Sequence, residues 1–208
     1  MSITTQWRNP RGWLGRLMLR GMNTTHSGLT DWGLTHVAIR KCDAILDVGC
    51  GGGRTVHKLA GSATSGRVYG IDSSEASVQV SRGANKQFIE AGHVEIRHGS
   101  VSSLPFSDSE FDFVTAVNSH CYWPDLVADM KEVLRVLKPG GTLMILGGAY
   151  KGGRHSARNE RFAQIIDVAC QSPDDLRGFF AAAGYSGVQV FVEEHRGWIC
   201  GLGRKPRL

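Results

Sequence analysis

The sequence has little proline, six residues in 208, and its five cysteines (Cys42, Cys50, Cys121, Cys170 and Cys200) form no C-x-x-C pair. An odd, widely spaced set offers neither a zinc site nor a disulfide framework, and it fits reduced thiols in a cytoplasmic protein. No apolar run approaches the roughly 20 residues that cross a bilayer. The opening residues Met1–Asn9 lack the apolar centre of a secretory signal. The expectation is a soluble, cytoplasmic chain without a membrane partner. Scarce proline and the absence of a Gly-X-Y repeat exclude collagen. A composition of 41% hydrophobic and 21% charged residues excludes a disordered chain. What stands in excess is glycine, 27 residues of 208, about 13% where ordinary usage is roughly 7%. The glycines cluster beside apolar runs, at Gly49–Gly53, Gly140–Gly141, Gly147–Gly148 and Gly152–Gly153. Such placement marks backbone turns rather than a linker.

The net charge of +5 is uneven. Residues 1–42 carry Arg8, Arg11, Arg16, Arg20, Arg40 and Lys41 against Asp31 alone. Residues 151–161 contribute +3 through Lys151, Arg154, Arg158 and Arg161 less Glu160, and Arg204, Lys205 and Arg207 in the tail add +3. The remainder is therefore acidic. A basic rim attracts anionic substrates or nucleic acid, although a solvated surface is the commoner meaning of such charges.

Periodicity then gives alternating short strands and helices. Trp13, Leu14, Leu17 and Met18 suit a short amphipathic helix, and Thr30 is placed to cap a second one through Arg40. Strands are expected at Ala44–Val48, Arg67–Ile71, His93–Arg97, Phe111–Val117 and Thr142–Leu146. Helices are expected at Arg54–Ala60 and from a cap at Ser73 or Ser74 to about Glu90. A third covers Leu126–Leu137, where Leu126, Met130, Val133, Leu134 and Leu137 share a face. After a helix at Pro173–Ala183, Val188–Val192 and Trp198–Leu202 read as an antiparallel hairpin on the sheet edge. Continuous apolar strands alternating with helices mean an α/β fold, a doubly wound, mostly parallel sheet covered on both faces. Nothing divides the chain, so one domain over 1–208 is expected, with 1–40 a helical lid on a core at 41–208.

The chemistry concentrates at Asp47-Val48-Gly49-Cys50-Gly51-Gly52-Gly53. An acid ending the first strand leads into a turn with glycine at alternate positions, and a helix follows. Missing side chains let the backbone approach a ligand, and helix N–H groups face it. The dehydrogenase pattern G-x-G-x-x-G started at Gly49 requires glycine where Arg54 stands, and no phosphate-cradling G-x-x-x-x-G-K-[ST] is present. A second acid, Asp72, ends the second strand.

Asp47-x-Gly49-x-Gly51-x-Gly53 resembles the first motif of class I S-adenosylmethionine-dependent methyltransferases, and Asp72 stands where that family has its ribose-binding acid. Gly99–Phe106 resembles the adenine segment. Phe111–Val114 and Glu132–Gly141 resemble the fourth-strand and helix–turn–fifth-strand signatures. The chain is thereby similar to the small methyltransferase-type-11-like proteins. The resemblance implies a Rossmann-like, seven-stranded sheet with a C-terminal antiparallel hairpin, and S-adenosyl-L-methionine as cofactor. It implies cofactor contacts from Asp47, Gly49, Cys50, Gly51, Gly53, Asp72, Ser73, Ser100, Val101 and Asn118, and no metal. Ser100 departs from the pattern, since the family often has aspartate there. A serine hydroxyl accepts the same bond from an adenine amino group but is shorter and neutral. The Val101 amide would serve a ring nitrogen regardless.

Ligands of open α/β sheets lie beyond the C-terminal strand ends, where the fourth strand runs into Asn118-Ser119-His120-Cys121-Tyr122-Trp123. His120 is a candidate general base near neutral pH. Tyr122 and Trp123 are candidate pocket walls, and Trp32 and Tyr150 candidates to close over an acceptor. The function implied is methyl transfer to a small molecule by in-line displacement, for which positioning alone supplies up to about 7–11 kcal/mol. Methylation of nucleic acid or protein through the basic rim is the alternative. It lacks the Asn-Pro-Pro-aromatic run of amino-directed nucleic-acid enzymes. A non-catalytic cofactor-binding protein is the third.

Overall fold

The computed structural model describes residues 27–165 and 168–207. The expected helix around Trp13 and the arginines at 8–20 lie outside them. Seven strands form one sheet in the order β3-β2-β1-β4-β5-β7-β6. They are β1 (Ala44–Val48), β2 (Arg67–Asp72), β3 (Val94–His98), β4 (Phe111–Val117), β5 (Leu137–Gly147), β6 (Ser186–Glu193) and β7 (Trp198–Arg204). β1 to β5 pair in parallel, whereas β7 runs antiparallel between β5 and β6. The doubly wound, mostly parallel sheet with its terminal hairpin is therefore observed.

Neighbouring apolar residues serve opposite faces, which is why the strands read as continuous runs. Leu46, Val114, Leu143 and Ile145 face one core, together with Met130, Val133 and Phe180. Ile45, Val68, Phe113 and Met144 face the other, with Val56 and Leu59. The first core is covered by α5 (Leu126–Val136) and α7 (Pro173–Ala182), the second by α1 (Ser27–Leu34), α2 (Arg54–Ser62) and α3 (Glu75–Ala84). The short α4 (Lys86–Glu90) follows α3, and α6 (Ser156–Ile165) follows β5.

Beyond shifts of one or two residues at strand and helix ends, three differences from expectation have a tertiary reason. Thr30 caps no helix running to Arg40; it lies buried inside α1, 3.5 Å from the Thr55 hydroxyl of α2. Leu29 is fully buried, and a Cβ on Gly33 would collide with the Leu146 side chain, so this stretch of residues 1–40 is packed as core. The helix expected to reach Glu90 breaks at Asn85, whose buried Nδ2 donates to Ser81 O (2.9 Å) and to Gly53 O (3.0 Å). Finally, α5 stops at Val136, because Leu137 takes extended dihedrals and pairs with Phe111 as the first residue of β5. The turn at Pro139-Gly140-Gly141 then lies within that strand's span, with Gly140 at φ +81°.

Candidate functional site

The turn from β1 to α2 is fixed by its backbone. The Gly49 and Cys50 amides both donate to Ile71 O, at 2.8 and 3.0 Å, which ties the turn to β2. Gly49 has φ +73°, and a Cβ on it would collide with Ser119, whose hydroxyl donates to Val48 O at 2.6 Å. Gly53 has φ +80° where α2 begins, and a Cβ there would stand 2.6 Å from Asn85 Nδ2. Only glycine meets both demands, a left-handed backbone and no space. Ser81 and Asn85 of the neighbouring helix support this turn. The sequence reading missed them, since nothing in the local pattern links them to Gly53.

Two carboxyls close the turn. Asp72 Oδ2 accepts the Gly51 amide at 2.9 Å, and its Oδ1 accepts the Ser74 amide at 2.8 Å. Burial raises its pKa, opposed by those two amides. Asp47 is 2% exposed and its Oδ1 has no hydrogen-bond partner. Burial, with the Asp72 charge adding to it, pushes the Asp47 carboxyl up to about 8. A buried, unmatched carboxyl oxygen is costly by itself and is relieved by a donor-bearing or cationic ligand. The Cys50 thiol is pushed up by burial and carries no activated thiolate.

The neighbouring segments follow the same strand ends. Asn118 has φ +53°, and its Oδ1 accepts the Gly148 amide at 2.6 Å, clamping the end of β4 to the end of β5. Ser73 is exposed, and its carbonyl meets His98 Nε2 at 3.0 Å. The Ser100 hydroxyl accepts the Ser102 amide at 3.2 Å and so caps its own turn, while the Val101 side chain is buried in the core.

The acceptor candidates divide. His120 sits in a single 3-10 turn, 7% exposed, with its Nδ1 without a partner. The expectation of a base working near neutral pH is corrected, because burial lowers the imidazole to about 4 and keeps it neutral. Tyr122 is half-buried, and Trp123 packs against the core beneath α5, where Tyr150 is buried as well. Trp32 lies on the opposite face of the sheet, against Trp198 and His36 with ring centroids 5.9 and 5.0 Å away. The structure thus gathers Asp47, the glycines, Asp72, Asn118 and His120 at the C-terminal strand ends, and does not bring Trp32 and Tyr150 together. Among the described residues no cluster of His, Cys, Asp or Glu could hold a metal ion. No described helix is long and apolar enough to cross a membrane.

A glycine turn flanked by one acid, with a second acid ending β2, defines a cofactor-dependent enzyme of the open α/β class, with its site at the strand ends. The family described as "Methyltransferase domain" matches residues 46–145. The demethylmenaquinone methyltransferase of Anoxybacillus flavithermus is 31% identical, the match covering 81% of this chain and 80% of that protein. The O-methyltransferase cnsE of Penicillium expansum is 32% identical across 70% of this chain, which spans 53% of that longer protein. A SAM-dependent methyltransferase from Aquifex aeolicus superposes with a TM-score of 0.74 at 18% identity, covering 91% of this chain and 98% of that one. The chain belongs to the class I S-adenosylmethionine-dependent methyltransferases, and S-adenosylmethionine is its cofactor.

Proposed function

We propose that the chain methylates a small-molecule acceptor, with the cofactor held between the glycine turn, Asp47, Asp72 and Asn118. The observation that carries this reading is the buried, unpartnered Asp47 Oδ1 beside Asp72. Together they form a negative recess under a turn whose backbone is bare. Asp72 has committed one amide to each oxygen, which leaves lone pairs for two ribose hydroxyls. Asp47 offers its free oxygen to the amino end of the methionine portion. Gly49, Cys50, Gly51 and Gly53 let the backbone approach, Ser73 borders the ribose, and the Val101 amide serves the adenine. The Ser100 hydroxyl, turned into its own loop, contributes less. Bound there, S-adenosylmethionine supplies a methyl group already activated on a sulfonium. The residues beyond β4 then position the acceptor, with Tyr122 and Trp123 at its margin. The relatives named for demethylmenaquinone and for O-methylation support a small acceptor.

Calorimetry with S-adenosylmethionine, followed by a transfer screen against metabolite fractions with S-adenosylhomocysteine as readout, tests this. Tight binding with a mass-shifted small product is the expected result. A nucleic-acid acceptor is the second reading. It is favoured by Lys151, Arg154, Arg158 and Arg161, all exposed and without ion pairs among the described residues. Salt-dependent binding of RNA or DNA would select it, and absence of binding at low salt would dismiss it.

A further inference from the structure

The basic tail has no part in the cofactor site; it lies at the other end of the sheet. There a cleft of about 430 Å³ opens where β1 and β4 begin, among His36, Phe113, Leu202, Arg204 and Arg207. The five residues of β1 put about 13 Å between it and the glycine turn. Strand pairing is interrupted on both sides of this cleft. Between β4 and β5 the register jumps from Phe111–Leu137 to Phe113–Thr142, so residues 138–141 stand out of the ladder. Between β6 and β7 it breaks from Ser186 to Gln189, with Gly187 at φ +59°. Such bulges open a sheet and re-aim its side chains.

The charges lining the cleft do not cancel. Asp43 accepts Arg40 Nε at 2.7 Å and the Arg40 amide at 2.8 Å. Asp112 accepts Arg40 Nη2 at 2.9 Å, Lys138 Nζ at 2.6 Å and the Ala44 amide at 3.0 Å. Arg40 and Lys138 thus offset the two acids, and Arg204 and Arg207 form no ion pair among the described residues. Arg207 lies across bare backbone, since a Cβ on Gly140 would stand 2.7 Å from its Nε. His36 lines the same cleft, and its Nε2 is buried with no hydrogen-bond partner. Folded chains rarely leave such a group unmatched. Residues 1–26 carry Arg8, Arg11, Arg16 and Arg20 and no acid, so their charge does not complement this surface.

We propose that the cleft is a second binding site, for a small phosphate monoester. Arg204 and Arg207 hold the phosphoryl group, the neutral His36 ring donates from Nε2, and Phe113 and Leu202 floor the organic part. The two uncancelled guanidinium groups match a monoester, which carries about −1.5 to −2 at pH 7. The volume falls within the roughly 300–1,000 Å³ of small-molecule sites. At this distance from the glycine turn the ligand is bound and not methylated. It would bridge the turn in β5 to the end of the β6–β7 hairpin, and so stabilise the fold in proportion to its occupancy.

Calorimetry of the full chain with phenyl phosphate, at low and constant ionic strength, tests the site. Binding is expected, and more tightly than inorganic phosphate, because the apolar floor takes the ring. Arg204→Gln and Arg207→Gln are each expected to weaken it at least about tenfold, with S-adenosylmethionine affinity unchanged. His36→Phe keeps a ring stacked on Phe191, where the centroids are 4.1 Å apart, and is expected to weaken it as well. Thermal unfolding checks that the variants fold, and phenyl phosphate is expected to raise the midpoint of the wild-type chain only. Absence of binding, or equal affinity in all three variants, overturns the proposal. Saturating S-adenosylhomocysteine is expected to leave phenyl phosphate affinity unchanged; competition would put the anion in the cofactor recess and overturn it. Vesicles containing phosphatidic acid separate a lipid headgroup from a soluble ester. The soluble ester is expected to bind by itself, and binding to vesicles alone overturns the small-molecule assignment.

Discussion

The Asp72 carboxylate accepts the Gly51 amide at 2.9 Å, so the acid ending β2 holds the middle of the turn that follows β1. One side chain thereby shapes the recess and lines it. Asp72→Ala is expected to weaken S-adenosylmethionine binding at least about tenfold, through the loss of a charge-assisted contact of the kind worth roughly 1.5–3 kcal/mol. Asp72→Asn should fall between, since an amide oxygen accepts one of the two backbone bonds. Calorimetry gives the affinities and circular dichroism checks the fold. A folded Asp72→Ala protein with wild-type affinity would remove Asp72 from the site.

Asp47 is expected to make cofactor binding depend on pH. Its carboxyl is raised to about 8, so near pH 7 the empty site holds a proton there that the unfolded chain has lost. Stability of the cofactor-free protein is then highest below the ordinary carboxylate pKa and falls as pH rises through about 8. A cationic ligand favours the ionised form, so affinity should rise over the same interval and binding should release a proton. Calorimetry in buffers of different ionisation enthalpy measures the release. Asp47→Asn is expected to abolish that component while leaving any contribution from the ligand's own amino group.

Gly49 and Gly92 separate two costs of adding a methyl group. Both are left-handed, at φ +73° and +72°, but only at Gly49 would a Cβ meet a neighbour, Ser119; the space around Gly92 is open. Gly92→Ala should cost about 1 kcal/mol for the backbone alone. Gly49→Ala should cost about 1–3 kcal/mol more, from overpacking. Urea unfolding of both variants measures the difference, and equal midpoints would contradict the close approach.

Asn85 supports the turn from 32 residues away through its bond to Gly53 O. Asn85→Ala removes two buried hydrogen bonds, to Gly53 O and Ser81 O, which keep only their backbone partners, and is expected to destabilise the fold by about 1–3 kcal/mol. It should also weaken cofactor binding, although Asn85 has no proposed contact with the cofactor. Thermal unfolding with and without cofactor separates the two effects.

Much of this was readable in the sequence. Phe111–Val117 has the bounds expected of it, because a mostly apolar run between turns has no competing helical period. The common site of Asp47 and Asp72 was readable from the resemblance to the methyltransferases, and the parallel register, with Asp47 opposite Gly70, brings the two strand ends together. What stayed hidden depends on partners distant in sequence. Thr30 looked like a cap because Ser and Thr favour that role, yet contact with Thr55 places it inside a helix. His120 looked like a neutral-pH base because burial, which sets its basicity, has no local signature. Trp32 and Tyr150 looked like partners because a sequence does not say which face of the sheet an aromatic joins.

Because β1 is apolar on both faces, sliding it by one residue would trade one oily layer for the other and expose little. Hydrophobic alternation, the usual guard of strand alignment, is therefore weak in the middle of this sheet. Asp47 supplies what the pattern lacks: one step out of place, a carboxyl would enter the layer that Leu46 fills. The Ala44 amide, donating to Asp112 at 3.0 Å, pins the other end of the strand. The acid proposed to face the cofactor is thus also the mark against which the central strand is aligned, so one residue would serve binding and folding register together.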